Sequence, residues 1–427
     1  MMSGTVTVPG DKSISHRALI LGAIAEGQTD ITGFLAGEDC MATLAAIRAL
    51  GVSIQQIDDT TIRIDGAGLH GLSEPGEVLN LGNSGTGMRL LAGLLCGQTF
   101  DSTLTGDESL SSRPMQRIIE PLSQMGAKID SDDGRPPLTI HGAHELTRIH
   151  YALPVASAQV KSAILLAGLY VHGETIVVER AATRDHTERM LKSMGASLSG
   201  DSGCIRLQAT ERLDAIKIKI PADLSSAAFV ILAALISKDT EVLIPNVGVN
   251  PTRTGVIEIL RQMGGDISIE NPQLVGEEPV ADLRVKSSML RGIEVDPSLV
   301  SLAIDEFPVL FIAAANAIGR TRFSGIRELR VKESDRISAM AEGLRLMGIK
   351  IDESEDGAEI QYGEPTGATV DSHGDHRVAM AFAVAGTIAD SAVRICNIDA
   401  VNTSFPEFSD VMDALGVNVT EGPSINT

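Results

Sequence analysis

The chain has 427 residues, and its 35 Lys and Arg residues against 56 Asp and Glu residues give a formal net charge of −21. The length favours two or more domains, and an apolar content of 43% favours a well-packed globular protein over a disordered chain. The excess of negative charge disfavours binding to nucleic acid or to an anionic membrane through the general surface, so an anionic ligand requires a local cluster of cations.

The cysteines and the apolar runs indicate the cellular compartment of the protein. Cys40, Cys96, Cys204 and Cys396 are spread along the chain without a CxxC pair, which is typical of reduced thiols in a cytoplasmic protein. The first residues lack the basic and apolar stretches of a signal peptide. The longest apolar runs are shorter than the ~20 residues of a membrane span. The sequence therefore predicts a soluble, cytoplasmic protein.

The first predicted helix begins within "PGDKSISHR", residues 9–17. This stretch places Lys12, His16 and Arg17 among Ser13 and Ser15. A solvated turn that is capped by a serine fits it, and so does an anion site at a helix amino terminus. The stretch alone does not decide between these two interpretations.

Five further nearly apolar segments follow along the chain, and their polar residues lie near the amino-terminal end. The pattern predicts six buried core helices rather than surface helices. The six segments are "SHRALILGAIA", "GTGMRLLAGLL", "AQVKSAILLAGLY", "SSAAFVILAALI", "DEFPVLFIAAANAI" and "DHRVAMAFAVAGTIA".

A second helix type alternates with these segments and ends each time at a glycine. We expect each glycine to adopt the left-handed conformation that ends a helix, with a strand following it. The six glycines recur at intervals of 68 to 84 residues and are Gly51, Gly126, Gly195, Gly264, Gly348 and Gly416. The repeating unit is therefore a strand, a buried helix, a strand, an amphipathic helix and a strand, found six times.

Six units of this size predict two domains of three units each. The segment around Pro221 lies near the midpoint and is a plausible crossing. We expect one domain at 11–221 and a second that combines 1–10 with 222–427, with the active site in the cleft between them. Each buried helix offers unpaired N–H groups and about half a positive charge at its start, so such a cleft favours anions.

Charged residues cluster where the predicted helices begin. The candidate cations are Lys12, Arg113, Arg184, Lys332, Arg336 and Arg377. Asp305 and Glu333 are candidates for proton transfer, although Asp305 could equally be a helix cap. "RVKESDR" could be a solvated helix start, "GNSGTG" a tight turn, and Asp375 of "DHR" a cap. We interpret Arg253 as a structural ion-pair partner.

The chemistry of these residues favours a small, multiply anionic substrate. No group in the sequence has the spacing of a metal site, and no cysteine lies in these loops to act as a nucleophile. The sequence therefore predicts catalysis without a metal, a cofactor or a covalent intermediate.

The motifs resemble, in order, those of the enolpyruvylshikimate-phosphate synthases, the 3-phosphoshikimate 1-carboxyvinyltransferases. The motifs are "PGDKSISHRAL", "LGNSGTGMRL", "SRPM", "SAQVKSA", "RDHTE", "SSAAF", "IDE", "RVKESDR", "GDHRVAM" and "NTSFP". The resemblance runs from Pro9 to about Phe408 and is closest to class II of the family. It implies an α/β fold with two similar domains, each of three βαβαββ units in an inside-out barrel, that close on substrate.

The resemblance also implies the reaction. The family transfers the enolpyruvyl group of phosphoenolpyruvate to the 5-hydroxyl of 3-phosphoshikimate and releases phosphate, a step of the shikimate pathway toward chorismate and the aromatic amino acids. It implies no metal, no cofactor and action as a monomer. The herbicide glyphosate mimics part of the phosphoenolpyruvate bound by the family.

The site residues implied by the resemblance fall into three sets. The catalytic set is Asp305, Glu333 and Lys12. The set for 3-phosphoshikimate is Lys12, Ser13, Arg17, Ser157, Ala158, Gln159, Arg184, Asp305 and Lys332. The set for phosphoenolpyruvate is Lys12, Gly85, Arg113, Gln159, Arg336, His376 and Arg377. Either Lys12 or Glu333 could deliver the proton to the methylene carbon of phosphoenolpyruvate.

One departure and three rival functions remain. One branch of the family has a lysine near the carboxy terminus where this chain has "NTSFP". The related transferase for UDP-N-acetylglucosamine normally carries a cysteine in a loop that here reads "TGDESLSSRPM". A non-catalytic six-repeat clamp around DNA requires basic helices, which the charge of −21 disfavours. A sugar-phosphate kinase requires a nucleotide motif, which the sequence lacks.

Overall fold

A computed structural model describes residues 2–142, 145–201 and 203–420 of the protein. The chain forms two compact units. The amino-terminal unit comprises Gly10–Ile220 together with Leu274–Glu278. The carboxy-terminal unit comprises the residues before Gly10, Pro221–Gln273 and the residues from Pro279 onward. The second predicted domain runs to residue 427, and its last seven residues, 421–427, lie outside the described residues.

Strands and helices alternate along both units. Up to residue 220 the elements are β1 (Met2–Thr5), α1 (Lys12–Ala23), β2 (Glu26–Thr32), α2 (Glu38–Ala49), β3 (Ser53–Gln56), β4 (Thr61–Ala67), β5 (Leu79–Asn80), α3 (Gly85–Leu95), β6 (Ser102–Thr105), α4 (Glu108–Ser112), α5 (Gln116–Gln124), β7 (Lys128–Asp132), β8 (Arg135–His141), β9 (His150–Ala152), α6 (Ala158–Gly168), β10 (Thr175–Val178), α7 (His186–Ser193), β11 (Leu198–Asp201), β12 (Cys204–Leu207) and β13 (Lys217–Lys219).

Apart from residues 274–278, the remaining elements belong to the carboxy-terminal unit, and short 3₁₀ turns lie between some of them. The elements are α8 (Leu224–Ile236), β14 (Thr240–Gly248), α9 (Gly255–Gln262), β15 (Asp266–Val275), β16 (Glu278–Lys286), α10 (Phe307–Ala315), β17 (Arg320–Ser324), α11 (Arg336–Leu346), β18 (Ile351–Ser354), β19 (Gly357–Gln361), β20 (Thr369–Asp371), α12 (His376–Ala385), β21 (Arg394–Cys396) and α13 (Phe408–Ala414).

The sheets of the amino-terminal unit share one topology. Their strand orders are β13-β2-β4-β3, β5-β6-β8-β7 and β9-β10-β12-β11. In each sheet the first pair is parallel and the other pairs are antiparallel. The first strand of the first sheet, β13, comes from the end of the unit. The chain therefore closes the unit on itself with three βαβαββ repeats.

The carboxy-terminal unit repeats this plan less completely. The order β1-β14-β16-β15 is the same, and its first strand, β1, comes from the start of the chain. The second sheet has the order β17-β19-β18, and two isolated parallel bridges, Arg291 to Ile318 and Glu294 to Arg322, lie beside it. In the described part of the chain, the third sheet consists of β20 and β21.

The predicted strand after Gly416 is wrong for the described residues. Residues 417–420 have no strand conformation. In the complete sheets the strand after the glycine pairs antiparallel with the strand that follows it in the chain.

The predictions of buried helices and of helix-ending glycines are confirmed. α1, α3, α6, α8, α10 and α12 are buried along almost their whole length, and each unit has its own hydrophobic core. All six glycines have a positive φ, between 73° and 99°. None of the helices in the described part of the chain combines the length and hydrophobicity that a membrane span requires.

Polar side chains cap five of the six buried helices. In each case a side-chain oxygen accepts a hydrogen bond from a backbone N–H of the first turn, which satisfies one of the unpaired donors there. These caps are Asp11, Ser84, Ser157, Asp223 and Asp375. The exception is α10, where Glu306 occupies the cap position without such a bond and Pro308 lies in the first turn.

Two of the buried helices approach each other closely at a glycine. A Cβ atom on Gly93 of α3 would lie 2.3 Å from the carbonyl oxygen of Ala163 on α6 and 2.7 Å from its Cα. These distances are shorter than a van der Waals contact, and backbone atoms are the obstacle. The helices that place Gly85 and Gln159 therefore depend on the absence of a side chain at Gly93.

We expect Gly93→Ala to destabilise the protein by about 1–3 kcal/mol, because the methyl group must push α3 and α6 apart. Alanine's higher helix propensity offsets only part of this cost. The control is Gly76→Ala, where a Cβ atom meets nothing within 4 Å. Chemical denaturation followed by circular dichroism measures both variants. Equal midpoints for the two variants would contradict the close approach.

Candidate active site

The start of α1 holds a buried ion pair. Lys12 is the first residue of the helix, and its ammonium group pairs with the carboxylate of Asp39 in the first turn of α2. The two side chains are 14% and 9% exposed. The other carboxylate oxygen of Asp39, Oδ1, is buried and has no hydrogen-bond partner among the described residues. Lys12 is thus a cation held in place by one internal carboxylate.

Arg17 joins three helices of the amino-terminal unit. Its Nε donates to Thr187 Oγ1 at 2.7 Å, its Nη2 to Ser162 Oγ at 2.8 Å and its Nη1 to the carbonyl of Ser13 at 2.8 Å. The hydroxyls of Ser162 and Thr187 also bond to each other at 2.7 Å. Burial lowers the pKa of Arg17 to about 10, so it remains a cation at neutral pH.

Arg184 belongs to the same electrostatic environment as Arg17. It precedes α7, and its positive charge contributes, after burial, to the lowered pKa of Arg17. Ser157 caps α6 by accepting from the N–H of Val160, and Ala158 is the first residue of that helix. The structure therefore brings the predicted residues of "SAQ" and "RDHTE" to helix starts in one unit.

Gln159 is fixed by both ends of its amide group. Its Oε1 accepts from Arg89 Nη1 at 2.6 Å, and its Nε2 donates to Thr86 Oγ1 at 2.9 Å. Both partners lie on α3, in the part of the helix that precedes Gly93. The amide is thereby held in one orientation, with the arginine beside it.

Two guanidinium groups flank Gly85 at the start of α3. A Cβ atom at Gly85 would lie 3.1 Å from Arg113 Nη1 and 3.2 Å from Arg89 Nη1. Arg113 is itself held by Asn83 Oδ1 at 2.5 Å and by Ser109 Oγ at 3.2 Å. A glycine at this position thus keeps a side chain out of the space beside two guanidinium groups, at the start of a helix whose dipole favours an anion.

The central interaction of the carboxy-terminal unit surrounds Arg336, the first residue of α11. Arg336 is 1% exposed and meets three carboxylates: Asp375 at 2.8 Å from Nε, Glu333 at 2.6 Å from Nη2 and Asp305 at 3.3 Å from Nη1. Burial favours the neutral form, but these negative charges outweigh it and hold the pKa of Arg336 above its ordinary value. The interpretation of this helix start as solvated is wrong for Arg336.

Asp305 lies between two arginines. Its Oδ1 is 3.3 Å from Arg336 Nη1, its Oδ2 is 3.9 Å from Arg377 Nη2, and its carbonyl accepts from Arg377 Nη1 at 3.2 Å. The cap position of α10 belongs to Glu306. The alternative interpretation of Asp305 as a helix cap is therefore wrong.

Three more predicted residues lie near this group. Burial lowers the pKa of Lys332, and the negative charges of Asp305 and Glu328 oppose that effect. Asp375 caps α12 by accepting from the N–H of Arg377 at 2.9 Å, as the cap interpretation predicts, and it also binds Arg336. His376 is the first residue of α12 and is buried.

The interpretation of Arg253 as a structural ion-pair partner is confirmed. Its Nη2 lies 3.0 Å from Asp223 Oδ1 and 2.6 Å from Ser225 Oγ, and its side chain is 4% exposed. Among the described residues no group of three or more His, Cys, Asp or Glu side chains could hold a metal ion.

Sequence reasoning missed Asp39 and Arg89. An acidic residue in the first turn of a helix is ordinary, so Asp39 carried no signal of its contact with Lys12. Arg89 did carry one, because it is the single charge in the otherwise apolar segment "GTGMRLLAGLL". A charged residue in a buried helix requires a partner, and Gln159 is that partner.

Comparison with known proteins identifies the family over almost the whole chain. Residues 1–412 match the family model of EPSP synthase (3-phosphoshikimate 1-carboxyvinyltransferase). A protein of Methylococcus capsulatus with the name 3-phosphoshikimate 1-carboxyvinyltransferase is 55% identical over 98% of this chain and 96% of its own. One of Legionella pneumophila with the same name is 52% identical over 98% and 97%.

Solved structures agree with the fold. An EPSP synthase from Acinetobacter baumannii has a TM-score of 0.88 and 50% identity, and the match covers 98% of this chain and 96% of that one. The enolpyruvyl transferase NikO from Streptomyces tendae has a TM-score of 0.77 at 17% identity, with coverage of 97% and 95%. At that identity the second likeness concerns the fold alone.

Proposed function

The chain belongs to the EPSP synthase family, and we propose that it transfers the enolpyruvyl group of phosphoenolpyruvate to the 5-hydroxyl of 3-phosphoshikimate in the cytoplasm, as a monomer. The products are 5-enolpyruvylshikimate 3-phosphate and inorganic phosphate. The observation that carries the assignment of roles is the position of Asp305, a carboxylate held between Arg336 and Arg377. Such a group can accept a proton next to cations that hold an anionic substrate.

Addition and elimination account for the reaction without a covalent enzyme intermediate. Asp305 takes the proton of the attacking hydroxyl, and the hydroxyl oxygen bonds to C2 of phosphoenolpyruvate while the methylene carbon gains a proton. The tetrahedral adduct then loses a proton from the new methyl group and expels phosphate, which restores the double bond as an enol ether. Lys12 and Glu333 are the two candidate proton donors, and each is ion-paired within its own unit.

The residues around Arg17 suit the phosphate of 3-phosphoshikimate. We assign to this substrate the helix-start groups of the amino-terminal unit, where Arg17 and Arg184 supply positive charge and the starts of α1 and α6 supply N–H groups. Asp305 and Lys332 complete the set from the carboxy-terminal unit. The full set is Lys12, Ser13, Arg17, Ser157, Ala158, Gln159, Arg184, Asp305 and Lys332.

The arginines suit the two anionic groups of phosphoenolpyruvate, because a guanidinium can bind carboxylate or phosphate through two parallel hydrogen bonds. Arg336 already meets three carboxylates. For a two-bond contact the substrate must therefore take the place of Asp305 or Glu333, the two that are partly exposed. The full set is Lys12, Gly85, Arg113, Gln159, Arg336, His376 and Arg377.

A phosphate-release assay tests the proposal. With 3-phosphoshikimate and phosphoenolpyruvate together, in the presence of a metal chelator, we expect continuous release of one phosphate for each enol ether formed. Either substrate alone should give none, and neither should UDP-N-acetylglucosamine in place of 3-phosphoshikimate. Absence of release with both substrates would refute the proposal. Release with phosphoenolpyruvate and UDP-N-acetylglucosamine, but not with phosphoenolpyruvate and 3-phosphoshikimate, would instead assign the chain to the rival transferase reaction.

A second prediction concerns the space at Gly85. We expect Gly85→Ala to weaken inhibition by glyphosate about 10-fold or more, because a methyl group removes room in a pocket that fits its ligand and presses on Arg113 and Arg89. The measurement is the inhibition constant against phosphoenolpyruvate, with Gly76→Ala as the control. An unchanged constant in Gly85→Ala would contradict the placement of phosphoenolpyruvate at this helix start.

A further inference from the structure

The start of α10 is built differently from the starts of the other five buried helices. Glu306 occupies the cap position, but its carboxylate makes no bond to the first turn of its own helix. The hydroxyl of Ser225 on α8 donates to Glu306 Oε1 instead, and Arg253 Nη2 lies 3.8 Å from the same oxygen. The carboxylate of Glu306 therefore ties α10 to a neighbouring helix.

The contact of Glu306 is one end of a buried chain of hydrogen bonds. Arg253 Nη2 donates to Ser225 Oγ at 2.6 Å and to Asp223 Oδ1 at 3.0 Å. Asp223 in turn caps α8 through the N–H of Ser225 at 2.9 Å. One guanidinium thus links the cap positions of α8 and α10.

The network is almost completely removed from solvent. The side chains of Arg253, Asp223 and Glu306 are 4%, 6% and 1% exposed. A buried ion pair of this kind is weak evidence for stability, because apolar residues of similar volume often serve as well. The hydrogen bond at Glu306 Oε1 nevertheless holds this carboxylate in one orientation, although Glu306 Oε2 is buried and has no hydrogen-bond partner among the described residues.

Glu306, which this network holds, follows Asp305 directly in the sequence, so one peptide bond joins the two residues. On one side of the peptide bond, the Asp305 carboxylate and carbonyl face Arg336 and Arg377. On the other side, the backbone N–H of Glu306 donates to the carbonyl of Ala303 at 2.9 Å, and its side chain is fixed to α8. The direction of the Asp305 side chain is therefore set from both sides.

We propose that Glu306 is a positioning residue that acts through its hydrogen bond with Ser225, itself backed by Arg253, to aim the Asp305 carboxylate at the substrate hydroxyl. The inference rests on the proposed role of Asp305 as the group that accepts the hydroxyl proton. Glu306 itself touches no substrate in this proposal. Its contribution is the geometry of proton transfer and not the binding of either substrate.

Glu306→Ala tests the proposal, because it removes the carboxylate that holds the start of α10. We expect kcat to fall about 100-fold, as a displacement of about 1 Å at a reacting group can cost, while the KM values of both substrates change much less. Glu306→Gln should retain kcat within about threefold, since the amide oxygen still accepts from Ser225. If Glu306 itself transferred a proton in the reaction, Glu306→Gln would instead lose activity.

Ser225→Ala is the second variant and leaves Glu306 in place. It removes the hydrogen bond between Ser225 and Glu306, and we expect it to lower kcat without a comparable change in KM. Phe323→Leu serves as a control for lost stability, because Phe323 packs on Phe307 and Phe311 of α10 in the core and has no part in the network. Its melting temperature should fall while its kcat stays near that of the wild type.

A double-mutant cycle with Asp305→Asn separates the two claims. If Glu306 acts through Asp305, Glu306→Ala should change kcat by no more than about twofold in the Asp305→Asn background. The same fall in both backgrounds, or wild-type kcat in Glu306→Ala, would overturn the positioning role alone. Wild-type turnover of Asp305→Asn would overturn the proposed role of Asp305, and the inference would fall with it.

Discussion

The rest of the site in the carboxy-terminal unit depends on the buried positive charge of Arg336. A guanidinium that is 1% exposed is costly unless charged partners and hydrogen bonds replace its water. Asp375 supplies the buried part of that compensation, whereas Asp305 and Glu333 are 16% and 25% exposed. The buried carboxylate of Asp375 therefore holds Arg336 in place. In the proposed binding role, an anionic ligand replaces Asp305 or Glu333, the two partly exposed carboxylates, beside the guanidinium.

Cations that are held by internal partners also explain how a chain with a net charge of −21 can bind two anions. In the amino-terminal unit, Asp39 neutralises Lys12 and the hydroxyls of Ser162 and Thr187 hold Arg17. Each cation is thus held in place by the protein itself, so in the proposed binding role little side-chain entropy is lost when an anion binds. Buried helices, whose starts are mostly capped by short polar side chains, supply the N–H groups that complement these charges.

Local patterns predicted much of this arrangement. The six glycines and the six apolar segments identified the repeat, because helix ends and buried faces are encoded by neighbouring residues. Contacts between distant residues were not predictable in this way: nothing near Asp39 pointed to Lys12, and nothing near Glu306 pointed to Ser225. Asp375 showed its role as a cap in the sequence, but its ion pair with Arg336 depends on two helices meeting. The strand expected after Gly416 is not found at residues 417–420, because a glycine that ends a helix does not by itself specify the pairing that a strand requires.

Equilibrium unfolding of Asp375→Asn tests most directly whether this internal carboxylate holds the cation. Because Arg336 is left buried without its main partner, we expect the carboxy-terminal unit to lose about 3–5 kcal/mol of stability, seen as a lower denaturant midpoint. The matched control is Glu270→Gln, which breaks the two-bond contact of Arg284 with Glu270 on the surface of the same unit and should shift the midpoint far less. Equal midpoints for the two variants would contradict the account.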